Sequence, residues 1–310
     1  MVAEVNLIYP AHQGPPSVRY EGPEGRVFIS NSRHGSRNNV ALSWYGLKKP
    51  EKNDSIFVLE PMCVHPRDYD INYLNKFKHV FAWTKKAFAG SKVAPKVIET
   101  NHPNIIGKQN PENFISKWKP WGKRKNEIVV IANNKSGRHP SQIYQLRTHL
   151  ADHTHGNITK YHTRWYGQSC PKKPYKAGLA KDKMDILRDV KFTICSENCY
   201  DPKYSHNYFT EKMMHAWMGG AVPLYMGCHN IDDYFPKSAY IDLRPHVIKK
   251  GPKLEINYQA IRNILNDFNE EKFQTMMEEV KKLMRREDGL FHVCSWDRVS
   301  RLMLNKFSRK

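Results

Sequence analysis

Ser196–Gly227, SENCYDPKYSHNYFTEKMMHAWMGGAVPLYMG, is the stretch whose reading decides the fold. It begins at the end of KFTICS (Lys191–Ser196), an apolar run of buried-strand length. A helix is expected from Thr210, with Thr210 as N-cap and Glu211 and Lys212 in its first turn. Met213, Met214, Trp217 and Met218 fall on one helical face, which reads as the core side. Gly219 and Gly220 end the helix, and AVPLYMG supplies the next strand. Strand, loop, helix and strand in this order make a βαβ unit. In open α/β sheets ligands bind outside the carboxyl ends of strands. Ser196-Glu197-Asn198 and the start of the helix therefore form a candidate binding edge.

The chemistry along that edge is mixed. A helix N-terminus attracts phosphate through its free N–H groups and dipole, and Lys212 adds a full positive charge. Glu197 and Glu211 suit ribose or sugar hydroxyls, Asn198 can join them, and Tyr208 can stack on or abut a base. Together these are the parts of a nucleotide-sugar site. An ordinary βαβ crossover accommodates the same residues, because Glu and Lys are common in first helical turns and Asn is common in turns.

Outward from this stretch the pattern repeats. VNLIYP (Val5–Pro10), IFVLE (Ile56–Glu60) and HVFAWT (His79–Thr84) read as strands of a first α/β series, IFVLE ending in a carboxylate. Residues 101–127, rich in Pro, Asn, Gly and Lys, read as a connector. EIVVIANN (Glu127–Asn134), a helix over Ser141–Leu150 and a strand ending at Tyr166-Gly167 open a second series. In that helix Ile143, Leu146, Arg147 and Leu150 share a face, and Ser141 is the expected N-cap. The tail from Tyr258 to Phe307 reads as mainly helical. The expected fold is α/β: two Rossmann-like domains facing a cleft, with a helical C-terminal tail. Residues 1–122 form the first domain and residues 123–310 the second.

Composition sets the limits. The chain has 310 residues, 40% of them hydrophobic, enough for two cored domains. No apolar run nears the ~18 residues of a membrane span, and the N-terminus lacks the pattern of a signal peptide. The reading is a cytoplasmic protein, or else a soluble fragment of something larger. Lys and Arg outnumber Asp and Glu by 50 to 30, a net charge of +20. The excess is dispersed apart from KWKPWGKRK (Lys117–Lys125) and reads as a solvated surface, with no spaced nucleic-acid motif. The six cysteines fit no zinc pattern and read as thiols rather than a disulfide framework. Asn53, Asn134 and Asn157 open glycosylation sequons, which matter only in a secretory lumen.

Glu197-Asn198, then Tyr208-Phe209-Thr210-Glu211-Lys212, then Gly220-Ala221-Val222-Pro223 and Gly227, resembles the donor-binding signature of the α1,3-fucosyltransferase family. Phe235–Ile241 resembles a further segment of the same family, with Tyr240 where Phe is usual. The resemblance covers Val129 to Asp242 and thins in the N-terminal half. The gap between Asn198 and Tyr208 is longer here than in the family pattern.

The resemblance implies a GT-B fold with an acceptor-binding first domain and a donor-binding second domain. It implies a GDP-sugar donor, inversion at the anomeric carbon, and no required metal or other cofactor. Asn198 and Glu211 would then hold ribose and sugar hydroxyls, with Glu197, which opens the signature, and Thr210 counted with them in the donor site. Tyr208 would face the nucleoside and Lys212 the pyrophosphate. The family places an arginine after an Ser-Asn turn; here Arg138 is the nearest, following Ala132-Asn133-Asn134. Tyr166-Gly167 matches a family Y/F-G-R, with Gln168 replacing the arginine. Glu60, followed by Pro61, occupies the place of the family's N-terminal carboxylate and would be the general base. Asp68-Tyr69-Asp70 and Asp232-Asp233 read as solvated turns, and His149 and His153 as surface residues one helical turn apart.

The implied activity is a hexosyl- or fucosyltransferase-like glycosyltransferase moving L-fucose from GDP-fucose to a glycan or glycoprotein hydroxyl. Two alternatives stand beside it. One keeps the fold with another donor, such as a UDP- or GDP-linked pentose, in the manner of a xylosyltransferase. The other is a non-catalytic polyanion-binding protein that exploits the charge.

Overall fold

The structure, a computed structural model, describes residues 3–308 except 10–19, 36, 102, 106, 136, 138, 156–159, 170–171 and 252. The chain forms two compact units. The first comprises Met1–Lys108, Asp201–Tyr208 and Phe291–Lys310; the second comprises Gln109–Tyr200 and Phe209–Leu290.

The first unit is built on a seven-stranded sheet. Its strands are β1 (Ala3–Ile8), β2 (Tyr20–Gly22), β3 (Gly25–Ser30), β4 (Asn38–Leu42), β5 (Ser55–Phe57), β6 (Val80–Ala82) and β7 (Val97–Glu99), in the order β2-β3-β1-β4-β5-β6-β7. All pairings are parallel except the β2–β3 hairpin. Strand residues alternate between the two faces, and both faces are covered, so the strands read as continuous apolar runs. Val40, Leu42, Phe57 and Phe81 enter one buried cluster, while Ala41, Ile56, Val58, Val80 and Ala82 enter the other. Only Ile56 and Phe57 of the IFVLE run are in the strand Ser55–Phe57, but Val58 N–H still donates to Phe81 O at 2.9 Å. Glu60 follows just past that carboxyl end.

The division departs from the expected break between residues 122 and 123. The C-terminal helix Trp296–Ser308 belongs to the first unit, not the second. It is amphipathic, and Trp296, Val299, Met303 and Leu304 are buried with Val5, Leu7 and Val27. The helix covers a sheet face that β1 and β3 would otherwise leave in water.

The second unit holds a six-stranded parallel sheet: β8 (Lys125–Ile131), β9 (His162–Tyr166), β10 (Lys176–Gly178), β11 (Val190–Ser196), β12 (Val222–Met226) and β13 (Ile241–Asp242), in the order β10-β9-β8-β11-β12-β13. A small antiparallel hairpin, β14 (Val247–Lys250) with β15 (Lys253–Ile256), follows. Strand order reverses between β8 and β11, which places the binding crevice of this fold class at the loops after those two strands. The connector is not a plain linker. Arg124 is 4% exposed, and its guanidinium donates to the carbonyls of Lys119, Leu187, Val190 and Gly219. Part of the expected solvated charge cluster is therefore an internal brace. Among the described residues, no helix is long and apolar enough to cross a membrane.

Met303 has no solvent exposure in the cluster that joins the C-terminal helix to β1 and β3. Met303→Ala is expected to cost ~2–5 kcal/mol of stability, read from urea denaturation. A change under about 0.5 kcal/mol, the range of ordinary surface substitutions, would contradict this packing.

Candidate active site

The quoted stretch folds as expected at its ends. β11 closes at Ser196, the helix runs Glu211–Gly219, and Gly220 caps it in the left-handed region at φ 72°. Gly is suited to that conformation because it has no Cβ. Met213, Met214 and Trp217 are buried, and Trp217 Nε1 donates to Ala239 O at 2.7 Å.

Glu197 is at the centre of the site and has no solvent exposure. Its Oε1 accepts the Thr210 N–H at 2.8 Å. Its Oε2 accepts the Thr210 hydroxyl at 2.7 Å and the Lys212 ammonium at 3.0 Å. Lys212 also donates to Thr210 Oγ1 at 2.7 Å. A buried carboxylate is tolerable only when so satisfied. Room for its stem comes from the residue just past β12: a Cβ on Gly227 would sit 2.4 Å from Glu197 Cγ. Thr210 occupies the N-cap position, yet its side chain makes no capping bond. The hydroxyl is committed to Glu197 instead. Glu197 is thus an internal holder of Thr210 and Lys212.

The two loops at the strand-order reversal are stitched together. Tyr200 N donates to Ser141 O at 2.9 Å, and Ile143 N donates to Asn198 O at 3.3 Å. Arg147, 3% exposed, donates to Ser196 O at 2.7 Å and Glu197 O at 3.0 Å, and lies 3.4 Å from Asn198 Oδ1. Arg147 stood on the apolar face of its helix in the sequence without being given a role. A cation among core positions was the signal. The helix itself is Tyr144–Thr154, and Gln142 Oε1 rather than Ser141 accepts the Tyr144 N–H. Arg138, expected near this loop, lies outside the described residues. A cavity of about 640 Å³ opens beside the loop, lined in part by His139, Gln142, His149 and His153.

Charges around the helix start balance closely. Burial would raise the Glu211 carboxyl, but Lys212, Lys183 and His215 together hold it below the usual range. Burial opposes charge on Lys212 as well, and Glu197 and Glu211 overcome it, so the ammonium titrates above its ordinary value. Lys183, 3.7 Å from Glu211, had no role in the sequence reading.

Tyr208 and Glu60 both lie in the first unit. Tyr208 is fully buried in the first unit beside Trp83, and its hydroxyl donates to Glu60 Oε2 at 2.9 Å. Its ring is packed in the core, where it has no face to offer a nucleoside. The Asp-X-Asp and Asp-Asp pairs are not simple solvated turns either. Asp68 has no exposure and accepts from Ser43 Oγ and Trp44 N at 2.6 Å each, and Asp70 caps the helix Ile71–Leu74. Asp232 binds Arg244 at 2.9 Å and also accepts from Tyr240. Cys195, Cys199, Cys228 and Cys294 are buried thiols and Cys63 is half-buried; Cys170 lies outside the described residues. Among the described residues, no group of three or more His, Cys, Asp or Glu is placed to hold a metal ion.

With this geometry in hand, the similarities to known proteins are informative. Residues 121–250 match the profile of the glycosyltransferase family 10 (fucosyltransferase) C-terminal domain. That stretch is similar to the C-terminal domain of the fucosyltransferase family. It contains the whole strand-order reversal, Glu197 and the Thr210–Lys212 helix start, the same ground that carried the resemblance in the sequence. An α1,3-fucosyltransferase solved with GDP superposes at a TM-score of 0.55 with 12% identity, over 98% of this chain and 89% of that one. A second α1,3-fucosyltransferase structure gives 0.52 and 14%, over 98% and 88%. No curated protein matches by sequence. The chain has a GT-B-like fold similar to that of the α1,3-fucosyltransferases, and its central stretch resembles the fucosyltransferase C-terminal domain.

Removing Lys212 leaves Glu197 buried without its cation. Lys212→Met is expected to cost ~3–5 kcal/mol, and adding Glu197→Gln to recover much of it, both read by chemical denaturation. Equal losses in single and double variants would mean that the pair is not coupled. His215 gives a pH test. Burial and the nearby lysines push its imidazole down to about 4, whereas an unfolded chain protonates near 6.5. Between those values the unfolded state binds more protons, so stability falls as pH drops through the window. His79 in the first unit, also pushed down to about 4, adds to the effect. His215→Asn is expected to lose less melting temperature than the parent between pH 7 and 5; identical slopes would remove His215 from the account.

Proposed function

We propose that the protein transfers L-fucose from GDP-fucose to a hydroxyl of a glycan or glycoprotein, with inversion at the anomeric carbon. Lys212 carries the reading. It is a half-buried, charged lysine in the first turn of a helix, held by Glu197 and Thr210 in the stretch that matches the family 10 domain. A structure of similar fold was solved with GDP, which favours a guanine nucleotide here.

In this reading the diphosphate meets the start of the helix Glu211–Gly219. An ammonium has three N–H groups; two of those on Lys212 go to Glu197 and Thr210, and the third serves a phosphate oxygen. Lys183 supplies the further charge for which the sequence offers Gln168 in place of an arginine. Asn198 and Glu211 face the ribose and sugar hydroxyls. The acceptor oxygen attacks C1, the C1–O bond to the diphosphate breaks, and GDP leaves with the electron pair. Glu60 takes the acceptor proton. Developing charge on the leaving group is stabilised by fixed donors from this chain, with no metal required. A first unit that binds acceptor and a second that binds donor follow from the same reading. So does a cytoplasmic site of action, because a glycan on Asn134 would stand in the loop after β8.

Glu60→Gln is expected to lower kcat by ~10²–10⁴ while GDP still raises the melting temperature as in the parent. Unchanged turnover would remove Glu60 as the base. A panel of GDP, UDP and their sugars, with and without Mn²⁺, separates the donors. A shift with UDP alone would favour the other-donor reading. No shift with any nucleotide, together with steeply salt-dependent binding of polyanions, would favour a non-catalytic protein.

A further inference from the structure

The longer gap between Asn198 and Tyr208 has a structure of its own. Asp201–Tyr208 packs within the first unit, although both of its flanks belong to the second. The segment is a closed turn. Asp201 O accepts from Ser205 N and Ser205 Oγ, both at 2.8 Å, and Asp201 Oδ1 accepts from Lys203 N at 2.8 Å. Tyr204 stands edge-on to Tyr69 at 6.0 Å between ring centres. Asn207 adopts φ 59°, in the left-handed region that Asn tolerates better than most residues, and its Nδ2 donates to Trp83 O at 2.6 Å. The segment ends with the Tyr208 ring against Trp83, at 5.6 Å between centres, and the Tyr208 hydroxyl on Glu60 Oε2.

We infer that Tyr208 is a positioning residue for Glu60, and that the lengthened loop serves to deliver it. The inference rests on Glu60 being the base. Tyr208 has no solvent exposure, so its phenol needs an internal partner, and that partner is the proposed base. The turn, the Asn207 bond to Trp83 O and the Trp83 ring all bear on where the Tyr208 ring lies, so the hydroxyl arrives at a fixed point. A hydroxyl donated to one carboxylate oxygen selects a single rotamer of Glu60. The carboxylate then presents its other face to the acceptor hydroxyl in one orientation. Proton abstraction needs heavy atoms within about 2.6–3.2 Å, and misplacement by 1 Å costs on the order of 10²-fold in rate. A glutamate just past a strand end, on a three-bond side chain, gains most from such a constraint. The sequence pattern assigns the tyrosine to the nucleoside; the packing assigns it to the base.

Tyr208→Phe keeps the ring and its packing and deletes only the hydroxyl. Its kcat is expected to fall about 10- to 100-fold, with KM for the donor and the GDP-induced melting shift unchanged. In a Glu60→Gln background the same substitution is expected to add no further loss, because the general-base step it assists is already gone. A rise in donor KM with kcat unchanged would return Tyr208 to the nucleoside and overturn the inference. Losses that multiply in the double variant would do so as well, since they indicate a purely structural role. Parent-like turnover in Glu60→Gln alone overturns the underlying base assignment, which distinguishes that failure from the failure of the tyrosine's role. Because the GDP shift needs a folded second unit and the melting curve reports the whole chain, a misfolded variant is recognised directly.

Discussion

The carboxylate of Glu197 is the constraint on which the site depends. It sits at the end of β11 with no access to water, and a charge so placed is stable only if its lone pairs are met by donors. Thr210 meets it twice and Lys212 once. Each of these contacts fixes something else. The Thr210 hydroxyl is withdrawn from capping its own helix, so it does not cover the first-turn amides that an anion would approach. Gly227 is small because the methylene stem of Glu197 passes over it. Arg147 grips the carbonyls on either side of the Ser196–Glu197 peptide bond and holds the strand end still.

Much of this architecture was legible in the sequence. Parallel strands buried on both faces appear as unbroken apolar runs, which is why KFTICS, EIVVIANN and HVFAWT stand out. The helix after Thr210 announces itself by the spacing of Met213, Met214 and Trp217 and by the Gly-Gly stop. The order of strands and helices then fixes where a crevice lies, and the Glu-Asn and Thr-Glu-Lys clusters fall there.

What escaped the sequence was the destination of polar groups whose partners lie far along the chain. Asp68 and Asp232 look like turn residues because Asp favours turns, yet Asp68 is bound by Ser43 and Trp44 and Asp232 by Arg244. Arg124 sits in a run of cations, but four carbonyls claim it. The terminal helix carried no mark of which sheet it would cover; its apolar stripe fits either. Tyr208 is the sharpest case. It lies two positions before Thr210 in one motif, but Tyr208 and Thr210 fall in different compact units, and local spacing cannot express such a division.

Carboxylates beside the proposed diphosphate site look self-defeating until the cost of desolvating a lysine is counted. Burial alone drives an ammonium toward its neutral form, and a neutral amine would do little for a departing diphosphate. Glu197 and Glu211 reverse that tendency at Lys212, and Lys183 and Lys212 in turn keep Glu211 ionised. The arrangement therefore fixes charge rather than cancelling it. Lys212 is paired with Glu197 and Lys183 with Glu211, so each cation is held in place within a preorganised shell. A lone exposed lysine would carry the same formal charge, but it would have to shed water and freeze its side chain as the leaving group forms. Here both costs are met during folding, which is the condition under which fixed charges stabilise a transition state more than the ground state.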